Sequence, residues 1–429
     1  MTGRRRRLVI LGNSAAALSA IRAIRSRGGD EQVTVVSREE CHAYSPVLTT
    51  YYLRGVVPER RLFLCDAGSY RDLAVECRFG RTAVELDAAR QRLLLDDGTR
   101  LDYDALLIAT GAAPTRLGGL DDEVAGGLCY LRTIEDARRI RRLAQRARHV
   151  AVLGAGLVSL QTAAAIARPG VHVTCVVGSR QVLSQNLDAE CAAIVRDHVV
   201  REGGIEFLFG RSVAMIDHEA EGYRVELAGG EELSADMVVV GKGVTPNMAF
   251  VDPGQIAVER GVLVDDRLRT AVPDVYAAGD VAQGRNRISG AVEVVANWID
   301  ACEQGRVAGL NMAGADVTFP GSVPENVTTL FGLPVASIGS VGAGDAGAGL
   351  TSVTGSCPER TTYRRLFLKR GVPVGAILVG DVGDAGVVRA AIVRAEAGAV
   401  PVDRIVRGPI EAGAVLRSCV STSASTAVT

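Results

Sequence analysis

Short, almost wholly apolar runs recur along the chain, each followed by a small-residue turn. The first run is Leu8–Leu11; it stops at Gly12, an Ala-rich pattern at helical spacing follows, and "VTVVS" (Val33–Ser37) supplies the next apolar run. Buried strands read as continuous apolar runs of this length, so the segment predicts a strand, a helix and a parallel return strand. The same order recurs in "HVAVLGAGLVSLQTAAAIARPGVHVTCVV" (His149–Val177): a strand, a turn at Gly154-Ala155-Gly156, a helix through Ala167 and a return strand over Val171–Val177. Three further apolar strands end in glycine turns, in "YDALLIATGAAP" (Tyr103–Pro114), "ADMVVVGKGVTPN" (Ala235–Asn247) and "RTAVPDVYAAGDVAQ" (Arg269–Gln283). From Phe319 the pattern changes to antiparallel strands with Gly turns, "VTTLFGLPVASIGSV" and "YRRLFLKRGVPVGAILVGD". "AGVVRAAIVRAEAG" then returns to helical spacing.

Composition narrows the class without naming a chemistry. A length of 429 residues allows two or three domains with full cores. With 48% hydrophobic residues and a formal net charge of −1, the chain is of globular type, and its balanced charge gives no ground for a nucleic-acid partner. The opening "MTGRRRRLVILGNSAAALSAI" has basic residues before an apolar run, as a signal peptide does. However, Gly12-Asn13-Ser14 breaks the run, so strand, turn and helix are expected instead. No apolar stretch is long enough to cross a bilayer, so no membrane association and a cytoplasmic location are expected. The nine cysteines lie at least twelve positions apart, which excludes a CxxC metal or dithiol site and reads as reduced thiols. No metal site is expected.

The two glycine turns carry the candidate chemistry. In a βαβ unit a dinucleotide pyrophosphate approaches the free N–H groups of the helix N-terminus, and that approach needs small residues. Gly12, Ser14 and Ala17 meet the need as G-x-S-x-x-A, with Ala15 between them; Gly154, Gly156 and Ser159 meet it as G-x-G-x-x-S. Either alone is a weak fingerprint. Two in one chain, about 140 residues apart, predict two dinucleotides, a bound flavin and an exchangeable nicotinamide. Gly279-Asp280 ends a further strand, where a carboxylate is placed to accept a hydroxyl hydrogen bond; the plainer reading is a helix N-cap.

In order and spacing these motifs resemble the two-dinucleotide flavoproteins of the pyridine-nucleotide–disulfide oxidoreductase superfamily. The likeness is nearest to the branch of rubredoxin and ferredoxin reductases and the flavin-binding part of NAD(P)H-nitrite reductase. It rests on "HAYSPVLTTYYL", "GKGVTPN" and "NWIDACEQGRVAGLNMAG" and covers about 400 residues, from Leu8 to near Leu416. The resemblance implies an α/β fold with two Rossmann-like domains, one for FAD (residues 1–112 and 243–318) and one for NAD(P)H (113–242). A C-terminal α+β domain (319–418) and a disordered tail (419–429) complete the expected chain. That C-terminal domain closes dimers in related enzymes, which leaves a homodimer open.

Residue by residue, the resemblance implies that Gly12, Ser14, Ala15 and Ala17 line the FAD pyrophosphate and that Arg38 or Glu39 lies at the adenosine ribose. Thr110 and Gly111 would mark the crossover after the flavin-side strand, with Gly243 at the matching turn, and Asp280 would bond the ribityl chain beside Gly279. Gly154, Gly156 and Ser159 would cradle the NAD(P)H pyrophosphate. Trp298, the only tryptophan, matches an aromatic near the isoalloxazine; its plainer reading is a core aromatic near a helix start. After the second return strand the acidic slot reads Val177, followed by Gly178-Ser179-Arg180. Hydroxyl and guanidinium donors suit a 2′-phosphate, so NADPH is favoured over NADH, against the reading of Arg180 as a loop arginine with no role. Gln161 stands where many relatives carry a glutamate below the nicotinamide, and Thr50 where several ferredoxin reductases carry its lysine partner. Both halves of that ion pair change together, which avoids leaving one buried charge unpaired.

The departure that matters most lies in "HAYSPVLTTYYLRG" (His42–Gly55). Disulfide reductases of the superfamily use a CxxxxC pair or one cysteine here; no CxxxxC exists, and Val47 takes the single cysteine's place. Cys41 lies six residues too early, beside His42; a reactive thiol or a proton donor there stands against the plainer reading of packed side chains. The leading expectation is an FAD enzyme that takes hydride from NAD(P)H and passes electrons on without a protein thiol, to an iron–sulfur protein or a small molecule. The alternatives are the flavin subunit of an oxidase acting on an amine-like or other small organic substrate, and a flavin-binding regulatory protein with a degenerate nicotinamide site.

Overall fold

The structure, a computed structural model, describes residues 4–342, 349–357, 362–394 and 402–407; the expected tail at 419–429 lies outside them. Strands form where the apolar runs predict them. β1 (Arg7–Leu11) buries its last four residues, α1 (Ala15–Ser26) follows the turn at Gly12, and β2 (Gln32–Ser37) returns parallel to β1, with Ile10 opposite Val35. A short helix, α2 (Thr49–Leu53), precedes β3 (Val75–Phe79), and β4 (Ala105–Ile108) is buried throughout. Next come α3 (Ile134–Ala144), β5 (His149–Leu153), α4 (Leu157–Ile166), β6 (His172–Val177), α5 (Ala189–Gly203), β7 (Glu206–Phe209) and β8 (Met237–Val240). β9 (Val275–Ala277) and α6 (Trp298–Met312) follow. Last come β10 (Glu325–Leu330), β11 (Leu333–Gly339), β12 (Leu350–Cys357), β13 (Thr362–Lys369), β14 (Val372–Val379), α7 (Ala385–Arg394) and α8 (Val402–Arg407).

The chain divides into two units, Met1–Ala113 with Val244–Val323 and Pro114–Gly243 with Pro324–Thr429. In the first, five parallel strands run in the order β9-β4-β1-β2-β3. Strand addition reverses at β1, and open sheets of this kind take ligands at the carboxyl ends of the strands beside that reversal. Leu8, Ile10, Ile21, Ile24 and Leu107 are fully buried between sheet and helix, each contributing roughly 1.5–3 kcal/mol of transfer free energy. α6 lies very close on α1 because it presents glycines there. A Cβ on Gly305 would fall 2.1 Å from the Ala16 carbonyl oxygen and one on Gly309 2.4 Å from that of Ala20.

In the second unit, four parallel strands run in the order β7-β6-β5-β8. The same unit holds an antiparallel sheet in the order β10-β11-β14-β13-β12, as the Gly-turn pattern after Phe319 implies. Arg364 of β13 is almost fully buried and donates to Asp384, 2.9 Å, and to the Ile405 carbonyl, 2.8 Å, so one guanidinium ties β13 to the start of α7 and to α8. Among the described residues no helix is long and apolar enough to cross a membrane.

Candidate functional site

Gly12 leaves β1 at φ +113°, and a Cβ there would sit 2.0 Å from the Ala109 carbonyl oxygen, so only glycine fits. α1 then starts with Ser14 as N-cap, yet no side chain caps it and no acidic residue lies in its first turn. α4 repeats the arrangement. Its N-cap is Gly156, and Gly154, at φ +123°, would place a Cβ 2.3 Å from the Gly241 carbonyl oxygen. Elsewhere Thr133, Asp188 and Asn297 cap α3, α5 and α6 through their side chains. The two helices that begin at the glycine turns therefore keep their first N–H groups and positive dipole ends for an outside anion. Nothing would meet a Cβ on Gly156 within 4 Å, so the space above that turn is open. Both turns fit a dinucleotide pyrophosphate.

Around the first turn, side chains join segments that sequence spacing alone does not connect. Asn13, between Gly12 and Ser14, donates to the Cys41 carbonyl at 3.3 Å and accepts from the Tyr70 hydroxyl at 2.6 Å; Tyr70 in turn accepts from the Ala43 N–H at 3.1 Å. Burial and the neighbouring Cys65 push the Tyr70 hydroxyl pKa upward, so it stays protonated and can donate to Asn13. His42 stacks on Tyr70 at 5.8 Å and meets Phe79 edge-on at 6.0 Å, which gives it an aromatic packing role. Glu39, just past β2, accepts from the Tyr44 hydroxyl at 2.7 Å, while Arg38 is exposed. Val47 is 53% exposed on the turn before α2; Thr50 is buried, its hydroxyl directed at the Val47 carbonyl at 3.5 Å.

The crossover at Thr110-Gly111 is clamped by Asn247. The Thr110 hydroxyl donates to the Asn247 carbonyl at 2.6 Å, the Asn247 side chain donates back to the Thr110 carbonyl at 2.9 Å, and the Asn247 N–H donates to Gly111 at 2.9 Å. Gly111 takes φ +63°, and Gly243 takes φ +90° with its carbonyl accepting from the Thr115 N–H. Gly279 follows β9 beside α1, where its added Cβ would lie 3.4 Å from that of Ala16. Its N–H donates at 2.7 Å to Gln304, a buried residue of α6 that in turn donates to Ser322 at 3.1 Å. No helix starts at Asp280; a strand over Ala282–Arg285 follows, so the N-cap reading falls. Trp298 is the first residue of α6 and half-buried against the core of its unit.

Ser159 is buried, and its hydroxyl donates to the Gly241 carbonyl at 3.2 Å, which makes it a packing contact between α4 and the end of β8. Gln161 donates to the hydroxyl of buried Thr328 on β10 at 2.8 Å, so the amide has a neutral partner in its own unit. Past β6, the Ser179 hydroxyl donates to the Gln181 carbonyl at 2.7 Å. Arg180 is exposed and has no ion-pair partner among the described residues; with Ser179, Ser184 and Asp188 it lines a cleft of about 390 Å³. Asp188 is already matched by Arg365 at 3.1 Å and accepts from the Tyr363 hydroxyl at 3.2 Å.

The thiols are chemically quiet where burial acts on them. Burial pushes the pKa of Cys129 up to about 11 and of Cys175 up to about 12, and raises that of Cys191 further. Cys77 is pushed up to about 11, by burial and then by Cys65. Reactivity follows the thiolate, so these four are poor nucleophiles near neutral pH. Among the described residues no group of three or more His, Cys, Asp or Glu side chains is placed to hold a metal ion. Sequence spacing missed Asn13, Tyr70, Asn247, Gln304 and Thr328; only Asn13 carried a local signal, as a polar residue inside an otherwise small or apolar stretch.

Comparison with known proteins agrees with this architecture. The family model described as pyridine nucleotide-disulphide oxidoreductase matches residues 6–305, and that of the rubredoxin NAD+ reductase C-terminal domain matches 324–396. The chain is 33% identical over 392 residues to the NADH-dependent phenylglyoxylate dehydrogenase subunit epsilon of Aromatoleum evansii, covering 90% of this chain and 91% of that one. It is 31% identical over 383 residues to the ferredoxin–NAD(+) reductase component of the anthranilate 1,2-dioxygenase system of Burkholderia cepacia, covering 88% and 92%. Among solved structures, an NAD-dependent persulfide reductase from A. fulgidus matches with TM-score 0.85 at 26% identity, covering 98% of this chain and 83% of that one. The chain therefore belongs to the pyridine nucleotide-disulphide oxidoreductase family and is an NAD(P)H-dependent flavin oxidoreductase with a C-terminal domain of the rubredoxin-reductase kind.

Proposed function

We propose that the chain takes hydride from NAD(P)H, with NADPH preferred, and hands electrons from its flavin to an external iron–sulfur protein of the ferredoxin or rubredoxin type, with no protein thiol between. The observation that carries this reading is the pair of glycine-locked, uncapped helix starts in a chain whose flavin-side segment has Val47 in the cysteine slot. FAD, when bound, supplies hydride acceptance and electron release. The protein's part is to bind and orient. The α1 turn receives the FAD pyrophosphate, Asn13 and Tyr70 fix the turn to the Cys41–Ala43 segment, and Gln304 holds Gly279 so that Asp280 faces a hydroxyl of the ligand. The α4 turn receives the nicotinamide dinucleotide, and Thr328 holds the Gln161 amide.

The nucleotide preference rests on Arg180. β6 ends in Val177 with no carboxylate to bond a ribose 2′-hydroxyl, and the Ser179 proton is committed to Gln181, so the exposed guanidinium is the donor left for a 2′-phosphate. The relatives named above are called NADH- or NAD(+)-dependent, so the preference is a property proposed for this chain. A second reading has one observation in its favour, the 33% identity to a dehydrogenase subunit. In it, the chain is the flavin subunit of a larger complex acting on a small organic substrate.

Anaerobic stopped-flow mixing of the FAD-loaded protein with NADPH or NADH tests the proposal. Flavin absorbance bleaches with both, at lower concentration for NADPH. Arg180→Ala weakens NADPH by roughly tenfold or more, as expected for loss of a charge-assisted contact of about 1.5–3 kcal/mol, and leaves NADH unchanged. No bleaching with either nucleotide would refute the function; equal effects on both nucleotides would refute the role of Arg180.

A further inference from the structure

The first unit carries a closed surface excursion with cations that have no ion-pair partner among the described residues. Tyr44 and Phe63 form an antiparallel bridge, with Ser45 N–H donating to Leu62 and Leu64 N–H donating to Ala43, both at 2.8 Å. The residues between them, α2 included, therefore leave and return at one place. Its root is fixed to the first dinucleotide turn, since Ala43 N–H donates to Tyr70 and Tyr70 donates to Asn13. It exposes Arg54, Arg60 and Arg61, together with Val56, which is 61% exposed, and Leu64.

Many arginines of this unit are paired, while Arg22, Arg27, Arg38, Arg71, Arg100, Arg260 and Arg285 are exposed without an ion pair among the described residues; residues 43–64 differ in their local excess of basic over acidic side chains. Arg5, Arg6, Arg7, Arg78, Arg81, Arg90, Arg92, Arg267 and Arg306 each lie within ion-pair distance of a carboxylate. Arg54, Arg60 and Arg61 have no ion-pair partner among the described residues, and residues 43–64 contain a single acidic side chain, Glu59. Exposed apolar side chains on a segment with uncompensated positive charge suit a small, transient protein interface, in which the charges steer encounter more than they add affinity. The other arginine-rich element, α3, is better neutralised. Arg138 and Arg142 meet Glu135, and Arg139 donates to the carbonyls of Gly126 and Gly127.

We propose that the Arg54–Arg61 side of this excursion is the docking face for the electron acceptor, a small acidic iron–sulfur protein. The proposal rests on the electron-transfer function proposed above and adds where the partner sits and which charges it carries. Three guanidinium groups without counter-charge call for carboxylates on the partner, and the link through Ala43 and Tyr70 to Asn13 places that face on the segment rooted at the flavin turn. The overall reaction is NADPH plus two ferric partners giving NADP⁺, two ferrous partners and one proton.

Rubredoxin serves as the acidic probe, with its visible absorbance reporting reduction, and neutral menadione as the control acceptor. The wild-type rate with rubredoxin at limiting concentration falls steeply with added salt. In Arg54→Glu/Arg60→Glu/Arg61→Glu, KM for rubredoxin rises about tenfold or more at low salt and the salt dependence flattens, while bleaching by NADPH and turnover with menadione stay at wild-type values. Val56→Asn raises KM for rubredoxin without changing the salt dependence. Wild-type-like rubredoxin kinetics in the charge-reversed protein would overturn the docking face. So would a wild-type protein that reduces menadione and transfers nothing to rubredoxin. Failure of NADPH to bleach the wild-type flavin would instead overturn the function on which the docking face rests, and the face with it.

Discussion

The proposed function assigns Gly12 and Gly154 to different ligands, so alanine at each position makes one experiment with its own control. At Gly12 the backbone stands at φ +113°, and an added Cβ would lie 2.0 Å from the Ala109 oxygen and 2.7 Å from its carbon. A side chain in that backbone region costs on the order of 1–3 kcal/mol, and relieving the overlap adds roughly another 1–3 kcal/mol. The turn escapes by opening away from β4, which removes the geometry the pyrophosphate needs. If the whole cost of about 2–6 kcal/mol falls on the bound form, affinity drops by roughly thirtyfold to twenty-thousandfold. Gly154→Ala meets the Gly241 oxygen at 2.3 Å and φ +123°, so its cost is similar but falls on the second turn. Gly12→Ala therefore purifies with little or no FAD, read from the ratio of flavin to protein absorbance. Gly154→Ala keeps FAD that dithionite reduces but needs far more NADPH for bleaching in stopped-flow. Full FAD retention in Gly12→Ala, or FAD loss with normal NADPH binding in Gly154→Ala, would refute the assignment of the two turns.

Three other perturbations test separate parts of the structure. Thr328→Val leaves the Gln161 amide without its partner; stability falls by about 1–2 kcal/mol and flavin reduction by NADPH slows, whereas Thr328→Ser restores both, and an unchanged reduction rate in Thr328→Val would remove Gln161 from the nicotinamide site. Asp384→Asn breaks the buried pair with Arg364 and costs about 3–5 kcal/mol in urea unfolding, while Arg364→Met/Asp384→Leu recovers most of it; equal losses in single and double variants would contradict this. At Asp236 burial opposes the charge, but the N–H groups of His149 and Arg148, at 2.8 and 2.6 Å, outweigh it and hold the carboxyl below its usual range. Its folded pKa then lies under the unfolded value of about 3.9, so its stabilisation is complete above about pH 4 and is lost as pH falls through the folded value. Acid unfolding followed by circular dichroism is less steep below that pH in Asp236→Asn, and superimposable curves would remove Asp236 as a contributor.

The elements that hold the two dinucleotide turns were legible because their signals are local. An apolar run, a glycine that must turn and an Ala-rich helix all lie within one βαβ unit, and β1-α1-β2 and β5-α4-β6 follow that pattern. The side chains that fix those turns were not legible, because their partners lie far off along the chain. Tyr70 is 57 positions from Asn13, Asn247 is 137 from Thr110, and Thr328 is 167 from Gln161. Periodicity reports which face of an element is buried and not what it is buried against. Ser159 and Ser179 show the same limit at the level of one hydroxyl. Their size and position were readable, but their protons go to Gly241 and Gln181 carbonyls, which only the folded chain brings within reach.

The absence of a thiol in the electron path is tested most directly by counting reducing equivalents. Anaerobic titration of the FAD-loaded protein with NADPH is expected to bleach the flavin completely at one NADPH per FAD, with no long-wavelength band from a thiolate stacked on the flavin. Two NADPH per FAD, or such a band developing after the first, would show a cysteine couple taking electrons and would contradict direct transfer from the flavin.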